Sequence, residues 1–229
     1  MSTPDKMSVP GGWADTTQVS FIAASGVLAR VLLDVTTALG NYLGGQRAYD
    51  ITVASTDAVA NALIVWEGTQ RCLYANMGVV ATTATTNATI TRTVGSFITD
   101  GFAVGDSVMP FGAVATASNG SPGIVTGVTA TALTFSGIPT GWSANTEGAG
   151  FRLLRVTRRN PVAIPANAGI ATAVSTLNNN IQVIGTSTDS TRDPYGIELG
   201  SNSVLLCALY QAVSALPAQI QVTAKSALR

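Results

Sequence analysis

Residues 218–225 read AQIQVTAK, and this stretch indicates the kind of fold to expect. Its apolar residues, Ile220, Val222 and Ala224, alternate with polar ones. Because successive side chains of a β-strand point to opposite faces of a sheet, this alternation is typical of a strand with one buried and one solvated face. We therefore expect an antiparallel strand here, with the three apolar residues directed into a core.

The same kind of pattern recurs elsewhere in the chain. Residues 89–94 (TITRTV) alternate in the same way, and residues 51–53 and 62–67 predict two strands around a turn. Residues 204–213 are apolar at both parities, which predicts a strand covered on both faces. The 23 Gly and 9 Pro residues separate these short apolar runs. Together the patterns predict an all-β protein, built as a sandwich or barrel.

Residues 26–43 fit two different patterns. Val31, Leu32 and Val35 belong to a run of apolar residues at helical spacing. Val31, Leu33 and Val35 also alternate as they would in a strand, and the β-branched residues and glycine of this stretch disfavour a continuous helix. The sequence leaves both alternatives open.

The composition excludes several classes of function. Only 10% of the residues are charged, and 12 basic residues balance 12 acidic ones. This balance provides no basic region for nucleic acid. The sequence has no histidine, which excludes histidine-dependent triads and the HExxH zinc site. We therefore expect a non-enzymatic protein. Because interface cores are depleted of charge, the low charge content also predicts a protein that buries surface against copies of itself or other proteins.

No segment predicts a membrane helix, although the mean hydropathy is +0.34. The most apolar stretch, residues 204–216, is followed by Pro217 and is shorter than the roughly 20 residues that a spanning helix needs. Residues 1–13 do not resemble a secretion signal, so we expect synthesis in a cytoplasm. Cys72 and Cys207 are then expected to be reduced and buried.

The middle of the chain predicts a separate small β-structure. Residues 96–112 read SFITDGFAVGDSVMPFG, and residues 123–135 read GIVTGVTATALTF. The Asp-Gly and Gly-Asp pairs are turn signals, and they bracket Phe102 and Val104, which we expect in a small core. The short strands and turns predict a compact β-barrel.

These two phrases resemble a small domain of tailed-bacteriophage virion proteins, in which DGF, GD and a VTATALT hairpin occur in this order. Residues 49–68 also resemble a strand–turn–strand phrase of phage capsid accessory proteins. The resemblance implies a jelly-roll-like β-sandwich of residues 21–75 and 158–229. It further implies a small β-barrel domain inserted at residues 76–157. The Pro- and Gly-rich start of the chain predicts an extended N-terminal arm, residues 1–20.

The resemblance implies a structural virion protein, a capsid decoration (cement) subunit that binds the assembled capsid lattice and stabilises it. The implied partners are the major capsid protein and copies of the chain itself, as a trimer, with no specific nucleic acid and no membrane. The implied location is the capsid surface of the virion. A tail-tube or neck subunit and a carbohydrate-binding adhesin module remain alternatives.

Five residues are candidates for contact with a partner. Arg155, Arg158 and Arg159 lie in the basic stretch FRLLRVTRRN, which fits bidentate pairing with an acidic neighbour or solvated charge at a strand end. Trp142 lies in a loop and fits an exposed platform for a partner or carbohydrate, or a lid over the small barrel. Trp13 would anchor the N-terminal arm on a neighbour.

The sequence predicts no catalytic residue, no cofactor and no metal site. Asp189, Asp193 and Glu198 are spaced closely enough for a calcium loop, but the stretch lacks the EF-hand pattern and includes Arg192. A turn-rich surface loop is the alternative, and we expect it instead.

Overall fold

The fold is described by a computed structural model for residues 14–22, 28–35, 46–159, 161–168, 181–182, 197–200, 202–214 and 217–228. Within these ranges lie two single turns of 3₁₀ helix, Tyr74–Asn76 and Thr116–Ser118. The strands in the same ranges are β1 (Ala14–Ile22), β2 (Arg30–Asp34), β3 (Gln46–Ser55), β4 (Asn61–Leu73), β5 (Val80–Ala84), β6 (Ala88–Arg92), β7 (Ser107–Phe111), β8 (Gly123–Val128), β9 (Ala132–Phe135), β10 (Asn145–Thr146), β11 (Arg152–Arg158), β12 (Val162–Ile164), β13 (Ile181–Gln182), β14 (Ile197–Leu199), β15 (Ser203–Leu209) and β16 (Gln219–Leu228).

The first sheet has five strands, in the order β1–β16–β3, with β13 and β14 both paired to the far edge of β3. All of these pairs are antiparallel. Ile220, Val222 and Ala224 on β16 are fully buried, which confirms the predicted inward face. Gln219, Gln221 and Thr223, which alternate with them, keep part of their surface exposed on the outer face of the sheet.

The second sheet has eleven strands. Ten of them follow the order β10–β5–β6–β9–β8–β7–β11–β4–β15–β2, and β12 pairs with β4 beyond the end of β11. Residues 204–209 of β15 are all buried, so this strand is covered on both faces, as predicted. Strands β5 to β10 belong to the middle segment, which we define as residues 74–151 between β4 and β11.

Three clusters of buried side chains hold these strands together. The first lies between the two sheets, because it combines Ile51 and Val222 of the first sheet with Val65 and Leu205 of the second. The second lies mainly within the middle segment and contains many aromatic side chains: Phe97, Phe102, Phe135, Trp142 and Phe151. The third covers the opposite face of β4 and β15 and includes Met109 from β7. The predicted all-β sandwich is thus confirmed.

The third cluster is enclosed by a curled sheet and one glycine. β7 and β2 lie at opposite ends of the run β7–β11–β4–β15–β2. Yet the Gly120 amide donates to the Pro110 carbonyl in β7 at 3.1 Å, and the Gly120 carbonyl accepts from the Ala29 amide beside β2 at 2.8 Å. The five strands must therefore curl until their outer edges reach the same loop residue. Gly120 has a φ of +76°, and a Cβ there would overlap the Ala29 carbonyl, so the position requires glycine.

The structure describes part of two segments discussed above, residues 26–43 and the predicted N-terminal arm. Residues 30–34 form β2, so the strand pattern is the one observed there; most of residues 26–43 lies outside the described ranges. Residues 14–20, the end of the predicted arm, belong to β1 and pair with β16 within the chain. Residues 1–13 of that arm also lie outside the described ranges.

β11 crosses the predicted boundary between the inserted domain and the sandwich. The boundary was placed after residue 157, but β11 runs from 152 to 158 and pairs with β4 on one side and β7 on the other. The middle segment and the sandwich therefore share one continuous sheet. The closed barrel and the jelly-roll-like topology stay predictions.

Candidate partner-binding surface

Arg152 is held within the chain at the start of β11. Its Nη2 lies 2.7 Å from Oδ2 of Asp34, and its guanidinium carbon lies 5.9 Å from the ring centre of Phe111. Asp34 ends β2, so this ion pair links β11 to β2, two strands that are separated by β4 and β15 in the second sheet. Both side chains are mostly buried, 14% and 17% exposed. The pair thus braces the curled sheet.

Arg155 points to the other face of β11 and contacts the middle segment. Its Nη1 lies 3.9 Å from Oδ2 of Asp106 and 3.5 Å from the Gly101 carbonyl. The side chain is 39% exposed, so solvent screens this pair and its contribution to stability is small. Arg155 therefore fastens residues 101–106 to β11, and it is only partly available to a partner.

The two remaining candidate arginines differ in their surroundings. The Arg159 amide donates to the Val65 carbonyl at 2.8 Å, and its guanidinium forms an ion pair with Glu67. Arg158 lies opposite Trp66 in the β11–β4 register, and its side chain is exposed. Of the three predicted partner-binding arginines, Arg158 is therefore the one that the fold presents most openly to solvent.

Trp142 does not form a surface platform. The residue is 5% exposed and lies in the second core cluster. Its indole packs edge-on to Phe135, with 4.8 Å between ring centres, and its Nε1 donates to the Ser121 carbonyl at 3.2 Å. Its selection as a partner-binding residue is therefore corrected, because the loop folds back and uses the indole as a lid over the aromatic core. Trp13 lies outside the described residues.

The DGF and GD turns of the middle segment have clear structural roles. Gly101 and Gly105 have φ values of +81° and +93°, which glycine adopts without strain. Phe102 is buried, with its ring edge-on to Phe97 at 5.8 Å. Val104 is 67% exposed, so the prediction that it points into the core is wrong. The turn between the two motifs directs Val104 outward.

A buried arginine lies beneath this loop, and the sequence analysis missed it. The Arg92 side chain is 1% exposed, and its Nη1 lies 2.6 Å from Oδ2 of Asp100. Its guanidinium carbon lies 4.2 Å from the ring centre of Phe97. The same Oδ2 accepts a hydrogen bond from the Cys72 thiol at 2.9 Å. This Arg92–Asp100–Cys72 cluster ties β6 and β4 to the DGF turn.

A signal for Arg92 was present in the sequence. In β6, Ala88, Ile90 and Arg92 alternate along one face, and all three are buried. Alternation with a period of two residues therefore predicts that the Arg92 side chain points inward. The acceptor that such a charge needs was Asp100 of the DGF motif, eight positions later.

Both cysteines are buried free thiols, as predicted. Burial is the main cause that raises the pKa of Cys72, and the Asp100 carboxylate raises it further against an opposing contribution from Arg92. Burial raises the pKa of Cys207 to about 12. Cys72 belongs to the second core cluster and Cys207 to the first. At neutral pH both thiols stay protonated and are poor nucleophiles.

The described part of the chain contains no group of three or more His, Cys, Asp or Glu residues that could hold a metal ion. Of the calcium-loop candidates, Asp189 and Asp193 lie outside the described residues, and Glu198 lies in β14. Within the described ranges no helix is long and apolar enough to cross a membrane. Comparison with protein-family models, with curated proteins and with solved structures found no match.

Proposed function

We propose that the chain is a non-enzymatic virion structural protein, a decoration subunit that binds an assembled capsid lattice and stabilises it. The observation that carries this proposal is the pair of phrases at residues 96–112 and 123–135, which resemble a module of tailed-bacteriophage virion proteins. The roles of Asp100, Gly101 and Asp106 in the loop give those motif positions a structural purpose.

The proposed mechanism is stabilisation by mass action. A subunit that binds the assembled lattice and not its separated components shifts the equilibrium towards assembly. The partners are the major capsid protein and copies of the chain itself, as a trimer. The proposed location is the capsid surface, after synthesis in the host cytoplasm.

Arg158 is the best-placed charged contact for such a partner. Because Arg155 and Arg159 pair with Asp106 and Glu67 within the chain, docking through them requires exchange of an existing ion pair. Arg158 is exposed, so it can pair with an acidic group of the lattice without breaking an ion pair of the described structure. A charge-assisted bidentate pair with a carboxylate supplies both affinity and orientation.

Copy number tests the function. Quantitative mass spectrometry of purified virions of the phage that encodes the chain measures it against the major capsid protein. A ratio near one to one, or a fixed large fraction of it, supports a decoration subunit. A copy number typical of stacked rings would instead assign the chain to the tail tube, and a few copies per particle would assign it to the neck. Absence from the particle overturns the virion proposal.

A matched pair of variants tests the docking residue. Particles that lack the protein are mixed with the wild-type chain, with Arg158→Ala or with Thr157→Ala, and bound protein is measured by sedimentation. Thr157 is exposed on the opposite face of the same strand. We expect weaker binding for Arg158→Ala and unchanged binding for Thr157→Ala. Equal binding of all three chains removes Arg158 from the interface and leaves the copy-number test unaffected.

A further inference from the structure

Two arginines on neighbouring strands reach the same turn of the middle segment. Arg71 belongs to β4, and Arg155 belongs to β11. Nη1 of Arg155 lies 3.5 Å from the Gly101 carbonyl oxygen. Nη1 of Arg71 lies 3.6 Å from the position that a Cβ would take at Gly101. The two guanidinium groups therefore lie against one residue, on one face of the second sheet.

An irregularity in β4 explains why Arg71 points to this turn. In the β11–β4 register, two consecutive residues of β11 pair with Gln70 and Cys72, so Arg71 has no partner of its own in β11. Such an extra residue forms a β-bulge, which bends the strand and changes the direction of a side chain. The bulge thus places the Arg71 guanidinium on the face where Arg155 lies.

The positive charge of Arg71 is not neutralised within the described part of the chain. The guanidinium forms no hydrogen bond and no ion pair with a described residue, and its Nε is buried without a hydrogen-bond partner. Its Nη1 and Nη2 are not among the buried atoms without a partner, so they keep accessible surface. The more deeply buried arginine nearby, Arg92, is paired with Asp100. Arg71 therefore offers unused donors to a ligand from outside.

The charges around Gly101 do not balance. Oδ2 of Asp106 lies 3.9 Å from Nη1 of Arg155, which is too long for a hydrogen bond. The same oxygen accepts a hydrogen bond from a backbone amide of the turn at 2.9 Å. One loosely paired carboxylate thus faces the charges of Arg71 and Arg155, and one positive charge is left over.

We propose that Arg71 and Arg155 bind the carboxylate of an acidic side chain from a partner protein. Arginine presents its N–H groups in a planar fork that matches the two oxygens of a carboxylate. One excess positive charge suits a monoanion, whereas the phosphate backbone of a nucleic acid requires several basic residues. The inference goes beyond the proposed function, because Arg158, the docking residue proposed there, lies on the opposite face of β11.

The exposure of the site sets the strength of this contact. The Arg155 side chain is 39% exposed, so water and salt screen its interaction with an anion. An isolated carboxylate should therefore bind weakly, with a dissociation constant on the order of 10 mM. In a complex with a larger partner, the same contact selects an acidic residue and fixes the orientation of that partner.

NMR titration of the full, ¹⁵N-labelled chain tests the site. Acetate is the probe, and it replaces chloride at neutral pH and constant ionic strength while the arginine Nε–H signals are followed. We expect saturable shifts of the Arg71 and Arg155 signals. Arg71→Gln and Arg155→Gln should each weaken acetate binding about tenfold, measured on the signal of the remaining arginine. Arg158→Gln is the matched control and should bind acetate like wild type.

Asp106→Asn provides a variant with the opposite expectation. It removes the carboxylate that competes for Arg155, so acetate should bind about twofold or more tightly, a gain that a purely structural role of the arginines does not produce. Thermal unfolding verifies that each variant is folded. Absence of saturable shifts in wild type, or equal acetate binding by wild type and both arginine variants, overturns the site. Tighter binding of phosphate than of acetate in the same titration overturns the assignment to a carboxylate.

Discussion

Arg92 and Asp100 form an ion pair of 2.6 Å in which the arginine side chain is 1% exposed and the aspartate 29%. Two further nitrogens of Arg92, Nε and Nη2, are buried without a hydrogen-bond partner. They lie on a guanidinium that stacks over Phe97, and their lack of accessible surface leaves no room for solvent. Asp100 thus supplies the counter-charge for the buried Arg92 guanidinium.

Asp100→Asn should destabilise the protein strongly. The variant keeps the shape of the side chain but leaves a buried guanidinium without its counter-charge, which costs about 3–5 kcal/mol. Asp106→Asn, the control, removes the charge from a pair whose arginine is 39% exposed, and it should cost less than about 1 kcal/mol. Urea unfolding gives both free energies, and equal losses would contradict the dependence of Arg92 on Asp100.

Gly120→Ala should prevent closure of the curled sheet. The added methyl group would overlap the Ala29 carbonyl, whereas Gly137 has a similar φ, +67°, and nothing within 4 Å of its Cβ position. Gly137→Ala should therefore lower the free energy of unfolding by only about 1–2 kcal/mol, which is the cost of placing alanine in a left-handed backbone conformation. The measurement is the unfolding midpoint in denaturant. A Gly120→Ala chain as stable as Gly137→Ala would show that the loop relaxes freely.

Ser214→Ala should change how stability responds to acid. Burial raises the pKa of Asp57, but hydrogen bonds from the Ser214 hydroxyl, the Ser214 amide and the Val59 amide outweigh it, so the pKa is lowered. The hydroxyl donates to Oδ1 at 2.6 Å. A lowered folded-state pKa gives stability that is present above the unfolded value, about 3.9, and is lost as pH falls through the folded value.

The free energy of unfolding, measured from pH 7 downwards, checks this linkage. We expect Ser214→Ala to be about 1–3 kcal/mol less stable than wild type at pH 7. The two chains should converge as the pH falls from the unfolded value of about 3.9 through the lowered folded-state pKa of Asp57. A difference that is constant with pH would mean that the hydroxyl does not act through the charge of Asp57.

Cys207→Ala should reduce the loss of folding stability that wild type shows at alkaline pH. The pKa of Cys207 is raised by burial to about 12, whereas an unfolded thiol ionises near about 8.5. A raised folded-state pKa gives stability that is complete below the unfolded value and is lost as pH rises towards the folded one. Between these values wild type should lose up to about 1.4 kcal/mol per pH unit relative to the variant. Parallel pH profiles would contradict this.

Strands in which burial follows from alternation could be predicted from the sequence. The inward face of β16 is set by Ile220, Val222 and Ala224, and the doubly covered β15 by an unbroken apolar run. These features depend on local spacing alone. Arg92 obeyed the same rule and was open to prediction on that basis.

Features that depend on contacts distant in sequence could not be predicted in this way. Trp142 is buried because its indole reaches Ser121, 21 positions away. Arg159 is paired with Glu67 across 92 positions. The sequence around a loop tryptophan or a run of arginines does not show whether these side chains face solvent or a core. Their partners are set by which distant segments the fold brings next to them.

The closure at Gly120 has a consequence for modularity. Met109 and Phe111 of the middle segment complete a core whose other walls are β4, β11 and β15, and Gly120 ties that segment to the chain just before β2. Cutting out the segment would expose the apolar side of the remaining strands, and grafting it elsewhere would leave its own edge unpaired. The segment and the sandwich therefore share part of their packing, and we expect them to unfold together as one cooperative unit.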